Sequence, residues 1–271
     1  MDKEEIIHKI KKSKKYSGIT IEVISREVGE FIGRVPGYER LKESFILKQI
    51  KSRLHKIYGS FQTTKKNKAK KLLEKLRDKK DNKIVREILE TNLSTKERLA
   101  SYGFVYGEIF KRSKDIDTIL DLGCGLNPLS YPYMELENDI KYYAYDINEN
   151  DLDIVKEFFS IYRVENLVSA IDLRNLNDAK KLPPADICFM FKLLDPLEKN
   201  SGNHKLSEEI IKILSHKCRF VVVSFSTKTL SGRQMNHPYR GWIERMLSRI
   251  GLKFEKFGIP NEIFYFIKAN E

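Results

Sequence analysis

The sequence predicts an α/β fold in which a seven-stranded, mostly parallel sheet follows an all-helical N-terminal region. From residue 118 onward, short apolar runs typical of strands alternate with segments of helical periodicity. Only Pro260 and Asn261 separate the last two strands, so these two are predicted to pair antiparallel. Before residue 94 only helical periodicity occurs. The predicted strands are residues 118–122, 141–147, 167–172, 185–191, 219–225, 252–257 and 262–268, with helices between them at 128–137, 148–162, 174–180, 204–216 and 239–250.

The helical N-terminal region has apolar stripes of its own, so we expect it to fold as a domain covering residues 1–93. Its predicted helices are residues 2–16, 20–33 and 38–58 and two shorter lysine-rich segments, AKKLLEKLRD and KIVREILETN. The second domain is predicted to cover residues 94–271. It opens with Ser94 as a helix N-cap and Glu97 completing a capping box, which predicts a helix over residues 96–110.

The net charge of +12 lies entirely in the first third of the chain. Residues 1–93 contain 25 Lys and Arg against 13 Asp and Glu, whereas the remainder holds 25 of each. This asymmetry favours an anionic partner, most often nucleic acid. The alternative is a solvated, lysine-rich helical surface. The lysines cluster at residues 9–15 and 65–80 with few aromatic residues among them, which favours phosphate contacts with folded RNA or a duplex over stacking on a single strand.

The three cysteines, Cys124, Cys188 and Cys218, are widely spaced and form no CxxC motif. A disulfide framework is therefore not expected, and Cys188 and Cys218 are predicted to be small core residues in a reducing compartment. No apolar stretch has the ~18 residues that a membrane span needs. The N-terminus is charged and does not resemble a secretory signal, so a cytoplasmic location is expected. The five histidines, His237 among them, show no ligand spacing, so no metal is expected.

A glycine turn follows the first predicted strand, Thr118–Leu122, and a helix is predicted to open at Pro128. Gly123 and Gly125 would let the backbone approach a ligand closely. The pattern is D-x-G-x-G and not the G-x-G-x-x-G of dinucleotide sites. The carboxylate of Asp121 would disfavour a phosphate here but suits a ligand with a cationic amino-acid tail, which indicates S-adenosylmethionine. The alternative is an ordinary strand–turn–helix corner.

Aspartates close the second and third predicted strands. Asp146 follows Gly125 by 21 residues, where a carboxylate can accept hydrogen bonds from both ribose hydroxyls. It could also, or instead, cap the helix that starts at residue 148. Asp172 could accept a hydrogen bond from the adenine amino group, and its alternative is a turn aspartate.

Two cationic positions follow the fourth and fifth predicted strands at the same edge of the sheet. Lys192 is a candidate for contact with a substrate phosphate or base, and its alternative is an exposed strand-end lysine. Residues 224–233 form a polar segment that could cover a target nucleotide, and Arg233 at its end is the second candidate substrate contact.

Together these residues resemble a known family, the aminoglycoside-resistance methyltransferases that modify N7 of a guanine in the decoding-site helix of small-subunit ribosomal RNA. The resemblance covers about residues 85–271. It rests on the strand-end acids and on four blocks in the same order, STKER at 94–98, ILDLGCGLNPL at 119–129, FKLLDPLE at 191–198 and SFSTKTLSGR at 224–233.

The resemblance implies a Rossmann-like class I methyltransferase fold that uses S-adenosylmethionine. It implies that Arg98 holds the cofactor carboxylate and that Lys192 and Arg233 touch RNA around the exposed base. The implied cofactor contacts are Arg98, Gly123, Gly125, Asp146 and Asp172. Two positions depart from the family. Asn92 stands where the family has a histidine, and the stretch after Arg233 is shorter, which bears on which nucleotide is modified.

The expected activity is S-adenosylmethionine-dependent methylation of 16S ribosomal RNA, at guanine N7, in the assembled small ribosomal subunit and by a monomer. A guanine N7 lone pair needs no proton removed, so alignment of the reacting groups would supply most of the catalysis. Two alternatives stay open at this point. One is methylation of another RNA, such as tRNA, or of another base atom, and the other is a non-catalytic RNA-binding factor for ribosome assembly.

Overall fold

A computed structural model describes residues 1–59, 66–198, 203–229, 232–235 and 238–269 of the chain. Its centre is a seven-stranded sheet with the strand order β3-β2-β1-β4-β5-β7-β6. Strands β1 to β5 are parallel, and β7 pairs antiparallel with both β5 and β6. The predicted fold and the antiparallel final hairpin are therefore confirmed. The strands are β1 Thr118–Leu122, β2 Lys141–Asp146, β3 Glu165–Ala170, β4 Ala185–Phe191, β5 Cys218–Ser226, β6 Lys253–Ile259 and β7 Glu262–Lys268.

Helices cover both faces of the sheet and make up the N-terminal region. The α-helices are α1 Lys3–Lys11, α2 Ile21–Arg34, α3 Glu43–Leu54, α4 Lys66–Asp78, α5 Asn82–Leu89, α6 Leu93–Arg98, α7 Tyr102–Arg112, α8 Glu149–Tyr162, α9 Leu176–Lys180, α10 Leu194–Glu198, α11 Lys205–Ser215 and α12 Gly241–Arg249. Short 3₁₀ segments lie at Tyr38–Arg40, Leu99–Ser101 and Asn127–Tyr133, and a π-helical turn lies at His55–Gly59. Within the described ranges, no helix is both long and apolar enough to cross a bilayer.

Two apolar cores sandwich the sheet because successive residues of a strand face opposite sides. Ile119 faces the core that includes buried residues of α7 and α8. Leu120 faces the core that includes buried residues of α11 and α12. Cys188 and Cys218 are buried free thiols in this second core, as the sequence predicted.

The N-terminal helices divide between two cores. Helices α1, α2 and α3 enclose a separate apolar cluster that includes Ile6, Val23 and Ile50. Helices α4 and α5 instead contribute buried residues, such as Leu73 and Ile88, to the core on one face of the sheet. Side-chain packing thus groups α4 and α5 with the sheet and the helices that cover it. The predicted division of the chain into folding units at residue 93 stays a prediction.

Several predicted helix boundaries are wrong. The first helix ends at Lys11 and not at residue 16, because turns follow in which the Ser13 hydroxyl donates to the Ile10 carbonyl over 2.8 Å. The expected helix over residues 38–58 is interrupted by the extended backbone of Leu41 and begins again at Glu43. After the glycine turn, residues Asn127–Tyr133 form a 3₁₀ segment and not an α-helix. This segment carries a proline at its start and Pro132 inside it, which limits regular α-helical hydrogen bonding.

The start of the second predicted domain also differs. The N-cap of α6 is Asn92, whose side chain accepts a hydrogen bond from the Ser94 backbone N–H over 3.0 Å, so the prediction of Ser94 as the cap is wrong. Glu97 does not close a capping box, because its carboxylate accepts from Lys192 over 2.6 Å. The expected continuous helix over residues 96–110 is broken by the 3₁₀ turn at Leu99–Ser101.

Candidate functional site

A pocket lies at the carboxyl ends of β1, β2 and β4, where the strand order reverses and ligands of open α/β sheets bind. The structure brings six of the seven sequence-predicted site residues together in its lining. These six residues are Arg98, Gly123, Gly125, Asp146, Asp172 and Lys192. Arg233 is not among the lining residues.

The glycine turn has the backbone conformation that only glycine adopts readily. The φ angles of Gly123 and Gly125 are +62° and +49°. A Cβ on Gly123 would also lie 2.5 Å from Leu193 Cδ1, so a larger residue would push into the pocket wall. The turn is tied to β2 because the Cys124 backbone N–H donates to the Tyr145 carbonyl over 3.0 Å. The glycine turn therefore forms one wall of the pocket from backbone atoms, with Leu193 packed against it.

Asp146 is oriented by backbone donors at the end of β2. Its Oδ2 accepts from the Gly125 N–H and its Oδ1 from the Asn148 N–H, both over 2.9 Å. The capping role considered for Asp146 belongs to Asn148, whose side chain accepts from the Asp151 N–H over 3.2 Å. These contacts fix the carboxylate beside the glycine turn, in the lining of the pocket.

Asp121 is a buried acid beneath the glycine turn. Its Oδ2 accepts from Asn127 Nδ2 and from the Tyr142 hydroxyl, both over 2.8 Å. Burial raises the pKa of Asp121 to about 7, although the two hydrogen bonds and the Arg98 cation oppose that rise. This carboxyl group therefore changes charge near neutral pH.

Arg98 is 1% exposed and lies within a set of buried polar groups. Its Nε and Nη2 donate to the two oxygens of Glu262 over 3.2 and 2.8 Å, and its Nη1 donates to Asn127 Oδ1 over 2.9 Å. Longer contacts, 3.4 and 3.5 Å, join it to the Tyr102 hydroxyl and to Ser94 Oγ. Burial is the largest single influence and opposes the cation, but the charge and hydrogen bonds of Glu262 and the nearby Tyr102 and Tyr106 together outweigh it and raise the pKa of Arg98. Arg98 is therefore a fixed cation whose weak contacts an incoming carboxylate could replace.

Glu262, at the start of β7, was missed by the sequence reasoning. It is fully buried, and it contacts Ser224 and Arg98 and lies 3.4 Å from Lys192 Nζ. Burial alone would raise the pKa of Glu262, but the Arg98 and Lys192 cations lower it. An acidic residue opening an otherwise apolar strand, EIFYFI, was the signal in the sequence.

Lys192 is 6% exposed, so the alternative of an exposed strand-end lysine is wrong. Its backbone has a φ of +55°, and its N–H donates to the carbonyl of Ser224 over 3.0 Å. Its ammonium group donates to Glu97 over 2.6 Å. The contact of Lys192 with RNA stays a prediction, and it would require exchange of these ionic partners.

The sequence predicts Asp172 at the end of the third strand. In the structure β3 ends at Ala170, so Asp172 lies two residues beyond it and that boundary is wrong. Its Oδ1 accepts from the Arg174 backbone N–H over 3.1 Å. Its other oxygen forms an ion pair with Arg26, which comes from α2 in the N-terminal region. No spacing rule relates this acid to a residue 146 positions away in the sequence.

Arg233 is exposed on the segment after β5, outside the pocket. There the Thr229 backbone N–H donates to the Arg233 carbonyl over 2.8 Å. Residues 230, 231, 236 and 237, including His237, lie outside the described residues. In the described parts of the chain, no group of three or more His, Cys, Asp or Glu side chains could hold a metal ion.

Comparison with known proteins gives a consistent result. A family profile described as "Ribosomal RNA methyltransferase (FmrO)" matches residues 12–267. A 16S rRNA (guanine(1405)-N(7))-methyltransferase of Micromonospora rosea is 31% identical over 230 residues, 82% of this chain and 81% of its own. One of Micromonospora echinospora is 32% identical over 234 residues, 82% of each chain. The crystal structure of 16S rRNA methyltransferase RmtF in complex with S-adenosyl-L-homocysteine has a TM-score of 0.81 at 24% identity, with 100% of both chains covered.

Proposed function

Because the chain belongs to the FmrO family of ribosomal RNA methyltransferases, we propose that it transfers a methyl group from S-adenosylmethionine to N7 of a guanine in 16S ribosomal RNA. The names of the two Micromonospora relatives support this choice of base atom and RNA. The observation that carries the proposal is the pocket itself, in which an ordered glycine turn, two strand-associated acids and a buried arginine meet.

The residues of the pocket fit the three chemical parts of S-adenosylmethionine. The carboxylate of its amino-acid tail suits Arg98, and its ammonium group suits Asp121. Asp146, held by two backbone N–H groups, would accept from the ribose hydroxyls. Asp172 would accept from the adenine amino group. Gly123 and Gly125 carry no side chain, so a ligand can approach the backbone of the turn closely.

Methylation of N7 needs alignment more than proton transfer. S-adenosylmethionine supplies an electrophilic methyl group when it is bound. Guanine N7 has an in-plane lone pair, so no residue of this chain must take a proton before attack. The task of the chain is to hold the two reactants in line and exclude water. A target base inside a helix must first be exposed, at a cost of a few kcal/mol.

Exposed lysines of α4 are the best candidates to offset that cost by binding RNA phosphates. Lys70, Lys71 and Lys75 are all exposed on this helix. Two lysines of α1 are less available, because Lys9 and Lys11 both form ion pairs with carboxylates. Lys9 pairs with Glu5 and Glu43, for example. We therefore assign a larger share of RNA binding to α4 than to α1. An assembled small ribosomal subunit presents many fixed phosphates, and we infer that it is the substrate, met in the cytoplasm by a monomeric enzyme.

Mapping the methylated nucleotide tests the proposal. Purified small ribosomal subunits, free 16S RNA and tRNA would each be incubated with the protein and labelled S-adenosylmethionine. Nuclease digestion and mass spectrometry would then locate the modified base. We expect one 7-methylguanine in the RNA of the intact subunit. Labelling of tRNA in preference, or of another base atom, would contradict the proposed substrate, and absence of labelling in all three would favour a non-catalytic RNA-binding factor.

A further inference from the structure

We propose that Arg26, on helix α2 of the N-terminal region, is a positioning residue for the cofactor, because it holds the Asp172 carboxylate that faces the adenine. The N-terminal helices would then complete the cofactor site as well as bind RNA. The inference builds on the cofactor role proposed above for Asp172, and it adds a residue that lies outside every motif of the pocket.

A backbone contact joins the N-terminal helices to the end of β2. The Thr20 N–H donates to the Ile147 carbonyl over 3.1 Å, and the Glu149 N–H donates to the Gly18 carbonyl over 2.8 Å. Gly18 permits this approach, since a Cβ there would lie 2.5 Å from Asn148 Oδ1. The segment before α2 is therefore paired with the residues that directly follow Asp146.

An ionic network joins the same helices to the end of β3. Glu27, the neighbour of Arg26 on α2, is 0% exposed and forms ion pairs with Arg174 and, over 2.9 Å, with Arg53 of α3. Arg174 in turn lies 3.5 Å from the Asp172 carboxylate through its Nε. A buried acid with two arginine partners has few alternative arrangements, so this network fixes α2 against the loop that carries Asp172.

The Arg26–Asp172 ion pair connects this network to the pocket, because Asp172 lines the pocket. The side chains of Arg26 and Asp172 are 28% and 11% exposed, so solvent screens their pairing only in part. The carboxylate has about four lone-pair sites, and the contacts from Arg26 and Arg174 leave capacity for the adenine amino group. Ile57, from the turn after α3, also lines the pocket. The N-terminal helices thus supply both a wall of the pocket and an orienting charge at its adenine end.

Binding of S-adenosyl-L-homocysteine and S-inosyl-L-homocysteine to variants tests this role by calorimetry. The second ligand carries an oxygen in place of the adenine amino group. We expect Arg26→Gln to weaken the adenosyl ligand about tenfold, roughly the effect of one lost charged hydrogen bond, and to change the inosyl ligand much less. Arg26→Lys should recover part of the loss. Arg34→Gln is the matched control, because Arg34 is an exposed arginine at the end of the same helix.

A double-mutant cycle with Asp172→Ala separates positioning from a general effect on folding. If Arg26 acts through Asp172, Arg26→Gln should cause no further loss once Asp172 is removed. Additive losses, equal losses for both ligands, or unchanged binding by Arg26→Gln would overturn the inference. Circular dichroism would verify folding. If Arg26→Gln does not fold, Arg26→Lys replaces it in the same double-mutant cycle with Asp172→Ala.

The same measurements distinguish failure of the inference from failure of the proposed site. If Asp172→Ala still prefers the adenosyl ligand, the role of Asp172 in the pocket is wrong. If Asp172→Ala loses that preference while Arg26→Gln keeps it, only the role of Arg26 is wrong. Neither result depends on which RNA is methylated.

Discussion

Replacing Asp121 by Asn should stabilise the protein increasingly as the pH rises from 5 to 7. Burial raises the pKa of this carboxyl from 3.8 to about 7, so the folded protein keeps a proton that the unfolded chain has already lost. The folded state therefore binds more protons across this interval, and the contribution of Asp121 to stability falls as the pH rises. Above about pH 8 the carboxyl group is almost fully ionised in both states and its effect becomes constant.

The size of this change in unfolding free energy follows from the pH interval in which the unfolded chain has lost the proton and the folded protein keeps it. The free-energy difference changes by up to about 1.4 kcal/mol for each pH unit over which the folded carboxyl keeps its proton. Because that carboxyl is already half ionised at pH 7, the interval from pH 5 to pH 7 gives about 2 kcal/mol. Asn has the same shape and can accept the hydrogen bonds from Asn127 and Tyr142, but it does not titrate. The difference in unfolding free energy between Asp121→Asn and wild type should thus grow by about 2 kcal/mol between pH 5 and pH 7 and level off near pH 8.

Urea-induced unfolding, followed by circular dichroism at pH 5, 6, 7 and 8, measures this difference. Subtracting the wild-type value at each pH removes the titration of all other groups. Asp139→Asn serves as the control, because it makes the same replacement at an exposed aspartate. A difference for Asp121→Asn that stays constant from pH 5 to 8 would refute the assignment of a buried, titrating carboxyl group beneath the glycine turn.

Three further predictions concern the pocket and the residues proposed to contact RNA. Arg98→Ala should abolish methyl transfer and binding of S-adenosyl-L-homocysteine. It should also lower stability by about 3–5 kcal/mol, because Glu262 would lose a buried partner; calorimetry and urea unfolding measure the two effects. Gly123→Ala should weaken binding of the same ligand at least about tenfold, since its φ is +62° and its Cβ would meet Leu193; calorimetry tests this. Arg233→Ala, and glutamine replacement of the exposed α4 lysines, should weaken binding to small ribosomal subunits and leave ligand binding unchanged. For the lysine variants, filter binding at several salt concentrations should show a shallower salt dependence.

The parts of the fold and site that the sequence predicts correctly are those set by local pattern. Alternation of apolar strands and helices gave the sheet, and a two-residue turn gave the antiparallel hairpin. Asp146 and the two glycines could be placed together because Asp146 ends one parallel strand and the glycines follow another, and the carboxyl ends of such strands meet at one edge of the sheet. These inferences need only the spacing of apolar residues along the sequence and the rules by which strands and helices are connected in α/β folds.

Contacts between distant segments could not be predicted in the same way. Glu262 is 164 residues from Arg98, and Arg26 is 146 residues from Asp172, so no spacing rule relates them. The choice of Asn92 over Ser94 as the helix cap is a local error of a different kind. Both residues are good caps, and the hydrogen bond of the Thr95 side chain to the Leu89 carbonyl shows how packing with α5 fixes where the helix begins.

The distribution of charge in the pocket suits a ligand whose tail carries both signs. Arg98 and Lys192 are balanced by Glu262 and Glu97, so this cluster is close to neutral before a ligand arrives. A carboxylate entering alone would disturb that balance in a buried setting, at considerable cost. An ammonium group entering with it would favour the ionised form of Asp121, whose pKa of about 7 lets it supply a negative charge at neutral pH for little cost. A zwitterionic amino-acid tail therefore keeps every buried charge paired, whereas a phosphate would leave the acids of this pocket facing a second negative group.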